Sequence, residues 1–462
     1  MAARTSLAGG VVKRWLVIVA LVLVVGGMAY GLLRHTPQWT TDNREALLQF
    51  EAGLGAQQKL YYVDARRHYE RALQLDPGFA IAKAFLVQTL DSDSQEDAKA
   101  TKRLIEELEK TDLEALTLRE RFLISRYVAS RKGDREAAEA ILAEYLKTNP
   151  DDEFALEIRA NRAFRNSDAE QAERDYRRLI EVAPNRVSAY NQIGYLAMGQ
   201  GRFVEAEQML RKYRFIAPDQ ANPHDSLGEL FILLGRYDEA RQEFDEALRL
   251  KPDFCATRVH LVTLGIVASR FDDAQTALAG FEPGGGCWPG DLAGATVNLE
   301  VAKAAARRDW EGILKAVDSG SAETSFGMAR LIGHRALLEL GRTSEAEAVT
   351  KKLSGAVEIK NAASDTMVAP NLAHLQGVEL YAHGRPAEAA RRFAEVDAGL
   401  LYRGVDEGLF KLYNLANLAR ALRASGDSAA ADEVAERILA VNGHVATAVF
   451  QGLDLNVAAS SR

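Results

Sequence analysis

The side chains best suited to chemistry are few and scattered. Cys255 and Cys287 are the only thiols in 462 residues and lie 32 apart, with no histidine pattern beside them that would complete a zinc site. The eight histidines, at 35, 68, 224, 260, 334, 374, 383 and 444, fall at unrelated spacings, and a lone histidine on a helix is more often structural than a ligand. Gly284, Gly286 and Gly290 in GGGCWPG miss the dinucleotide-binding spacing by one residue, and no strand signal precedes them. There is no Gly-x-Ser-x-Gly elbow, no phosphate loop ending Gly-Lys-Ser/Thr, no His-Glu-x-x-His pair and no protein-kinase signature set. The expectation is a chain that is not an enzyme, with no catalytic, cofactor or metal site.

The elements that carry these residues repeat. Pro150, Pro184, Pro218 and Pro252 stand 34 residues apart, each between two amphipathic runs. A proline cannot continue a helix begun before it, so it marks the turn from one helical pair to the next. Ala172, Ala206, Ala240 and Ala274 keep the same interval, as do Gly194 and Gly228. These small residues would let paired helices approach, with Tyr176, Tyr190, Leu210 and Phe244 filling the space beside them. In GRYDEARQEFDEALRLKP (235–252) the Gly-Arg step is the turn, and Ala240, Phe244 and Ala247 share one face. The interval from Pro77 to Pro150 is two periods plus five residues, which fits two degenerate pairs with an insertion. Past residue 290 the proline is lost, but the turn and small residue persist in GRTSEAEAV (341–349), GRPAEAARRF (384–393) and SGDSAAADEV (425–434). About eleven pairs result.

This pattern resembles the tetratricopeptide repeat, a 34-residue helix–turn–helix unit. The resemblance is strongest from Asp151 to Asp273 and good at 46–77. It implies an all-α solenoid of stacked antiparallel helix pairs with an extended inner face. In that family the inner face is lined by the first helix of each pair and binds peptides or partner helices. Carried over to this sequence, the groove positions are Phe154, Glu157, Asn161, Phe164 and Arg165, then Asn191, Tyr195 and Met198, then Asn222, Asp225, Glu229 and Ile232. Asp225 and Glu229 stand where the family's chaperone-tail binders need cations, so a carboxylate-ended tail is disfavoured. An extended peptide, or a helix with basic and apolar residues, suits the face better. Residues 116–152 also resemble the repeat-bearing tails of bacterial membrane-bound kinases and winged-helix regulators, without room here for their effector domain.

Cys255 opens the first helix of its pair and Cys287 follows the second, so a hairpin brings them near each other. Joined, they would close a loop worth about 3–4 kcal/mol in the chain-entropy model; unjoined, Cys255 is a small buried residue.

Trp15 to Leu33 is uncharged over nineteen residues, roughly 28 Å of helix and enough to span a bilayer core. Lys13 and Arg14 precede it, and Trp15, Tyr30 and Trp39 stand at interfacial positions. The run is longer than a signal-peptide core and lacks the polar face of a buried helix. Residues 1–35 carry +4, leaving −12 of the net −8 to the remainder. The basic side therefore stays cytoplasmic, and the acidic body argues against nucleic-acid binding.

The expected organisation is a cytoplasmic tail at 1–14, a transmembrane helix at 15–33 and an amino-terminal repeat array at 44–283. A Gly-rich joint at 284–291, a degenerate repeat array at 292–443 and a terminal cap at 444–462 complete it. The expected role is a scaffold on the bacterial inner membrane, its solenoid exported to meet protein or peptide partners of the envelope. A sensory input domain bending at the joint is the rival reading.

Overall fold

A computed structural model describes residues 38–91, 94–281, 287, 289–319, 327–359, 367–445 and 448–455. The apolar segment 15–33 and most of the Gly-rich stretch lie outside these residues. Among the described residues every element is helical, with twenty-three α-helices, one 3-10 turn at Leu113–Ala115 and no strand. No helix among them is long and apolar enough to cross a membrane.

In chain order the first helices are α1 (Arg44–Gln58), α2 (Tyr62–Leu75), α3 (Ala80–Val87), α4 (Gln95–Glu109), α5 (Leu118–Arg131) and α6 (Arg135–Thr148). Next come α7 (Glu153–Arg165), α8 (Ala169–Val182), α9 (Ser188–Gly199), α10 (Phe203–Ile216), α11 (Ala221–Leu233), α12 (Tyr237–Leu250), α13 (Cys255–Val267) and α14 (Phe271–Ala279). The remainder are α15 (Pro289–Ala306), α16 (Trp310–Ser319), α17 (Met328–Glu339), α18 (Thr343–Ile359), α19 (Val368–Ala382), α20 (Pro386–Gly399), α21 (Val405–Ala424), α22 (Ser428–Val441) and α23 (Ala448–Gly452). Taken two at a time they form eleven pairs and a short last helix. The slip between Pro77 and Pro150 holds α3–α4, α5–α6 and the 3-10 turn, which accounts for the insertion.

The repeat signature has a physical basis in every pair that keeps it. At the Gly-Arg turn, Gly235 takes φ +72°, and Arg236 N–H donates to Phe231 O at 2.8 Å, which satisfies an end carbonyl in the Schellman manner. The same bond recurs from Arg202 to Ala197, Arg342 to Leu337, Arg385 to Leu380 and Asp427 to Leu422, at 2.8–2.9 Å. The degenerate carboxy-terminal pairs are thus closed by the same turn as the regular ones. Ala206, Ala240, Ala274, Ala346, Ala389 and Ala431 are all fully buried. A Cβ at Gly228 would lie 2.4 Å from Phe244, and one at Gly377 would lie 2.7 Å from Phe393. The large residue follows the small one by sixteen positions in both cases, which is how one hairpin brings a ring onto the facing backbone. The turn arginine also ties its pair to the preceding one, Arg202 to Glu173 at 2.9 Å and Arg236 to Glu207 at 2.7 Å.

The chain divides into two compact units, one of residues 38–56 and 63–145 and the other of 57–62 and 146–455. In the first, Phe50 is the centre of an aromatic cluster with Trp39, Phe79 and Phe85 at ring-centroid distances of 5.1–5.5 Å. Trp39 is only 3% exposed, so it is a core residue and not the interfacial aromatic that its place after the apolar segment suggests. Glu120, fully buried, closes a capping box with Thr117 and also accepts from Thr40 N–H at 2.7 Å.

The second unit departs from the expected two arrays. One hydrophobic core runs through it from Ala197 to Leu455 and includes residues from both sides of the Gly-rich stretch. Ala295 and Leu299 of α15 pack on Val262 of α13 and Ala274 of α14, so stacking continues across residues 284–291 instead of parting there. All thirteen residues of α11 are buried. A helix enclosed on every side needs neighbours on its inner face as well as its outer one.

Candidate partner groove and its occupant

Helices α9 and α11 bring the carried-over residues Tyr195, Asp225 and Glu229 near one another, with α13 beside them. Tyr195 of α9 donates from its hydroxyl to Glu229 Oε2 of α11 at 2.5 Å. One turn back, Asp225 Oδ1 accepts from Thr257 Oγ1 at 2.7 Å and lies 3.0 Å from His260 Nδ1, both on α13. His260 was absent from the carried-over positions, although it lies one 34-residue period after Ser226, beside Asp225 in repeat register.

The face is covered by the chain itself. Val405 N–H, the first helical donor of α21, donates to Glu229 Oε1 at 2.6 Å. A helix start leaves its first N–H groups without internal acceptors and carries partial positive charge, so Glu229 acts as a cap supplied from another repeat. Upstream, Tyr402 N–H donates to Gly199 O at 3.3 Å, its ring meets Phe203 edge-on at 5.3 Å, and Arg403 Nη1 donates to Ser167 Oγ at 3.1 Å. Gly404 has φ +97°, and a Cβ there would come within 2.8 Å of Glu229 Oε1. Farther along, Gly408 packs on Leu233, where a Cβ would lie 2.6 Å from Cδ1. Asn442 Nδ2 donates to Ile232 O at 3.4 Å.

Electrostatics follow from this enclosure. Burial pushes the Glu229 carboxyl above its usual range and Asp225 adds to it, against His260, the Tyr195 hydroxyl and the Val405 N–H. Burial opposes charge on His260, but Asp225, Glu229 and Asp406 outweigh it and raise the imidazole to about 10. Burial, with Glu229 and Asp225, holds the Tyr195 phenol well above its ordinary value.

The remaining expected positions do not form an open groove. Phe154 is 8% exposed and lies under the Arg186 guanidinium at 4.2 Å. Asn161 accepts from the Tyr176 hydroxyl at 2.5 Å. Asn191 is buried, with its Oδ1 lacking a hydrogen-bond partner. Of the twelve carried-over positions, only Arg165 is exposed. Tyr195, Asp225 and Glu229 are brought near one another, and Glu229 is met by Gly404 and Val405 instead of facing an open groove. Arg186, which sequence reasoning passed over, is also enclosed and bonds Glu153 at 2.8 Å and Glu157 at 3.0 Å.

The sulfurs of Cys255 and Cys287 are bonded, with the Cα atoms 5.0 Å apart. The link joins the first residue of α13 to the segment before α15. Among the described residues no group of histidines, cysteines and carboxylates could hold a metal ion.

Comparison with known proteins agrees with the helical pattern. The chain carries tetratricopeptide repeats, with family models matching residues 159–221, 221–254 and 415–437. No curated protein matches the sequence. Among solved structures it is similar to PilW, a widely conserved type IV pilus biogenesis factor, at 19% identity over 43% of this chain and 93% of that one, with a TM-score of 0.36. It is also similar to the Cut9–Hcn1 hetero-tetramer of the APC/C, at 16% identity over 94% of this chain and 76% of that one, TM-score 0.44. A tetratricopeptide repeat protein of Parabacteroides merdae matches at 16% identity over 60% of this chain and 92% of that one, TM-score 0.34.

Proposed function

We propose that the protein is a non-catalytic protein–protein interaction scaffold, held in the bacterial inner membrane by residues 15–33 with its repeat region exported. The observation that carries the scaffold reading is the tetratricopeptide repeat itself. Stacked pairs present helix faces and inter-helix grooves as surface, and such surfaces bind extended or helical peptides. The bond between Cys255 and Cys287 supports export, since disulfides persist in oxidising compartments and are rare in the cytosol. The charge pattern supports the same orientation, with a basic amino-terminal collar and an acidic body.

Crosslinking in intact membranes, followed by identification of the captured protein, tests the scaffold. A single stoichiometric partner under every growth condition is expected. Partner capture that depends on a stimulus favours the sensory alternative, to which the covered inner face lends support. Protease added to spheroplasts tests topology: digestion of the repeat region is expected, and protection of residues 36–462 would place the region in the cytosol.

A further inference from the structure

We propose that residues 399–408 are an internal ligand of the inner face formed by α9 and α11. The face then recognises the start of a helix preceded by an aromatic–Arg–Gly turn, and a partner segment of that chemistry takes the internal ligand's place. The inference rests on the interaction reading above and gives it a ligand class.

The contacts are those of peptide recognition. Around the face, the end of α9 contributes a backbone acceptor at Gly199, the α7–α8 turn a side-chain acceptor at Ser167, the start of α10 an aromatic platform at Phe203 and α11 a buried carboxylate at Glu229. Each meets a different part of the turn: the Tyr402 N–H, the Arg403 guanidinium, the Tyr402 ring and the Val405 N–H. Selectivity is built into the last two residues. A Cβ at Gly404 would crowd Glu229 Oε1 at 2.8 Å, so the occupant needs glycine there. The next residue must donate a backbone N–H, which excludes proline. An occupant that enclosed Glu229 without supplying a donor would leave that acceptor with its full desolvation cost.

The lead of the turn is the part suited to exchange. Leu401, Tyr402 and Arg403 are only half-buried, whereas Gly404 and Val405 are buried. Leu400 and Val405, each 2% exposed, belong to the hydrophobic core, so the turn between them, held by hydrogen bonds and partly solvated side chains, opens at lower free energy than its two ends. The turn also holds itself in the bound shape: Glu407 accepts from Leu401 N–H at 2.9 Å and from Arg403 Nε at 3.1 Å. A peptide carrying residues 397–412 therefore brings its own preorganisation with it.

The test uses the full chain and a fluorescent synthetic peptide of residues 397–412, read by anisotropy. Tyr402→Ala with Arg403→Ala weakens the internal ligand and leaves the face intact. This double variant is expected to bind the peptide at least ten-fold more tightly than the unaltered chain, and a peptide with Val405→Pro to lose at least ten-fold. A double variant of native circular dichroism that binds no better, or that takes the Val405→Pro peptide equally, overturns the proposal. If the double variant does not fold, hydrogen exchange of the unaltered chain decides. Exchange at 401–405 while α11 stays protected supports the internal ligand, and exchange only together with α11 overturns it. Peptide binding in trans with no envelope protein captured would leave this recognition standing and remove the scaffold reading; the reverse result would do the opposite.

Discussion

Removing the Glu229 carboxylate leaves two enclosed donors, the Val405 N–H and the Tyr195 hydroxyl, without their acceptor. Glu229→Ala should therefore cost about 1–3 kcal/mol in a denaturant titration. Glu229→Gln should cost much less, because its amide oxygen still accepts from Val405 and its amino group can donate to the Tyr195 oxygen. Equal losses from the two would mean that the site depends on charge and not on hydrogen bonding. Two histidines set opposite pH limits on the second unit. Burial lowers His374 to about 4, and its Nδ1 lies 2.9 Å from Asn414 Oδ1. The unfolded chain takes up this proton near pH 6.5, so stability is full above that pH and falls, by up to roughly 3 kcal/mol, between pH 6.5 and 4. His260 works the other way: raised to about 10, it contributes stability below pH 6.5 that is lost as pH rises towards 10. Melting temperature followed against pH should fall on both sides, and His374→Gln should flatten the acid side alone.

Among the elements, the paired helices were the most legible part of the sequence. The 34-residue phase, the Gly-Arg turn and the small–large pairing are local features, and each reports a contact made within one hairpin. Gly228→Ala tests that link directly. Its new methyl would press on the fully buried Phe244 ring, and overpacking of this kind costs about 1–3 kcal/mol; an unchanged unfolding midpoint would contradict it. The cover over α11 was not legible in the same way, because Glu229 and Val405 are 176 residues apart and no period relates them. A trace of it was present in α21, whose twenty residues include Leu409, Phe410, Leu412, Tyr413, Leu415 and Leu418, with thirteen buried in all. A helix with that many apolar residues, thirteen of its twenty buried, needs packing on more than one side. The disulfide, left open by the sequence, constrains the α13–α14 pair. Reductant should lower the unfolding free energy by about 3–4 kcal/mol in the chain-entropy model, and Cys255→Ser should remove the difference between oxidised and reduced samples.

For the whole chain, three of the residues carried over from family resemblance meet in an enclosed setting. Tyr195, Asp225 and Glu229 do converge, yet the side that would face a partner faces Gly404 and Val405. Resemblance reports which helix face points inward, and that property follows from repeat register. Whether the inward face is free depends on where later pairs travel, which the degenerate carboxy-terminal repeats do not encode locally. In the second unit the inner face around Glu229 is filled by Gly404 and Val405. A photocrosslink measures this most directly. With Phe203→p-azidophenylalanine in the full chain in membranes, the account predicts an intramolecular adduct on residues 399–408, centred on Tyr402, whose ring lies 5.3 Å from that of Phe203. Adducts to other proteins only, with residues 399–408 unlabelled, would contradict a face filled by its own chain.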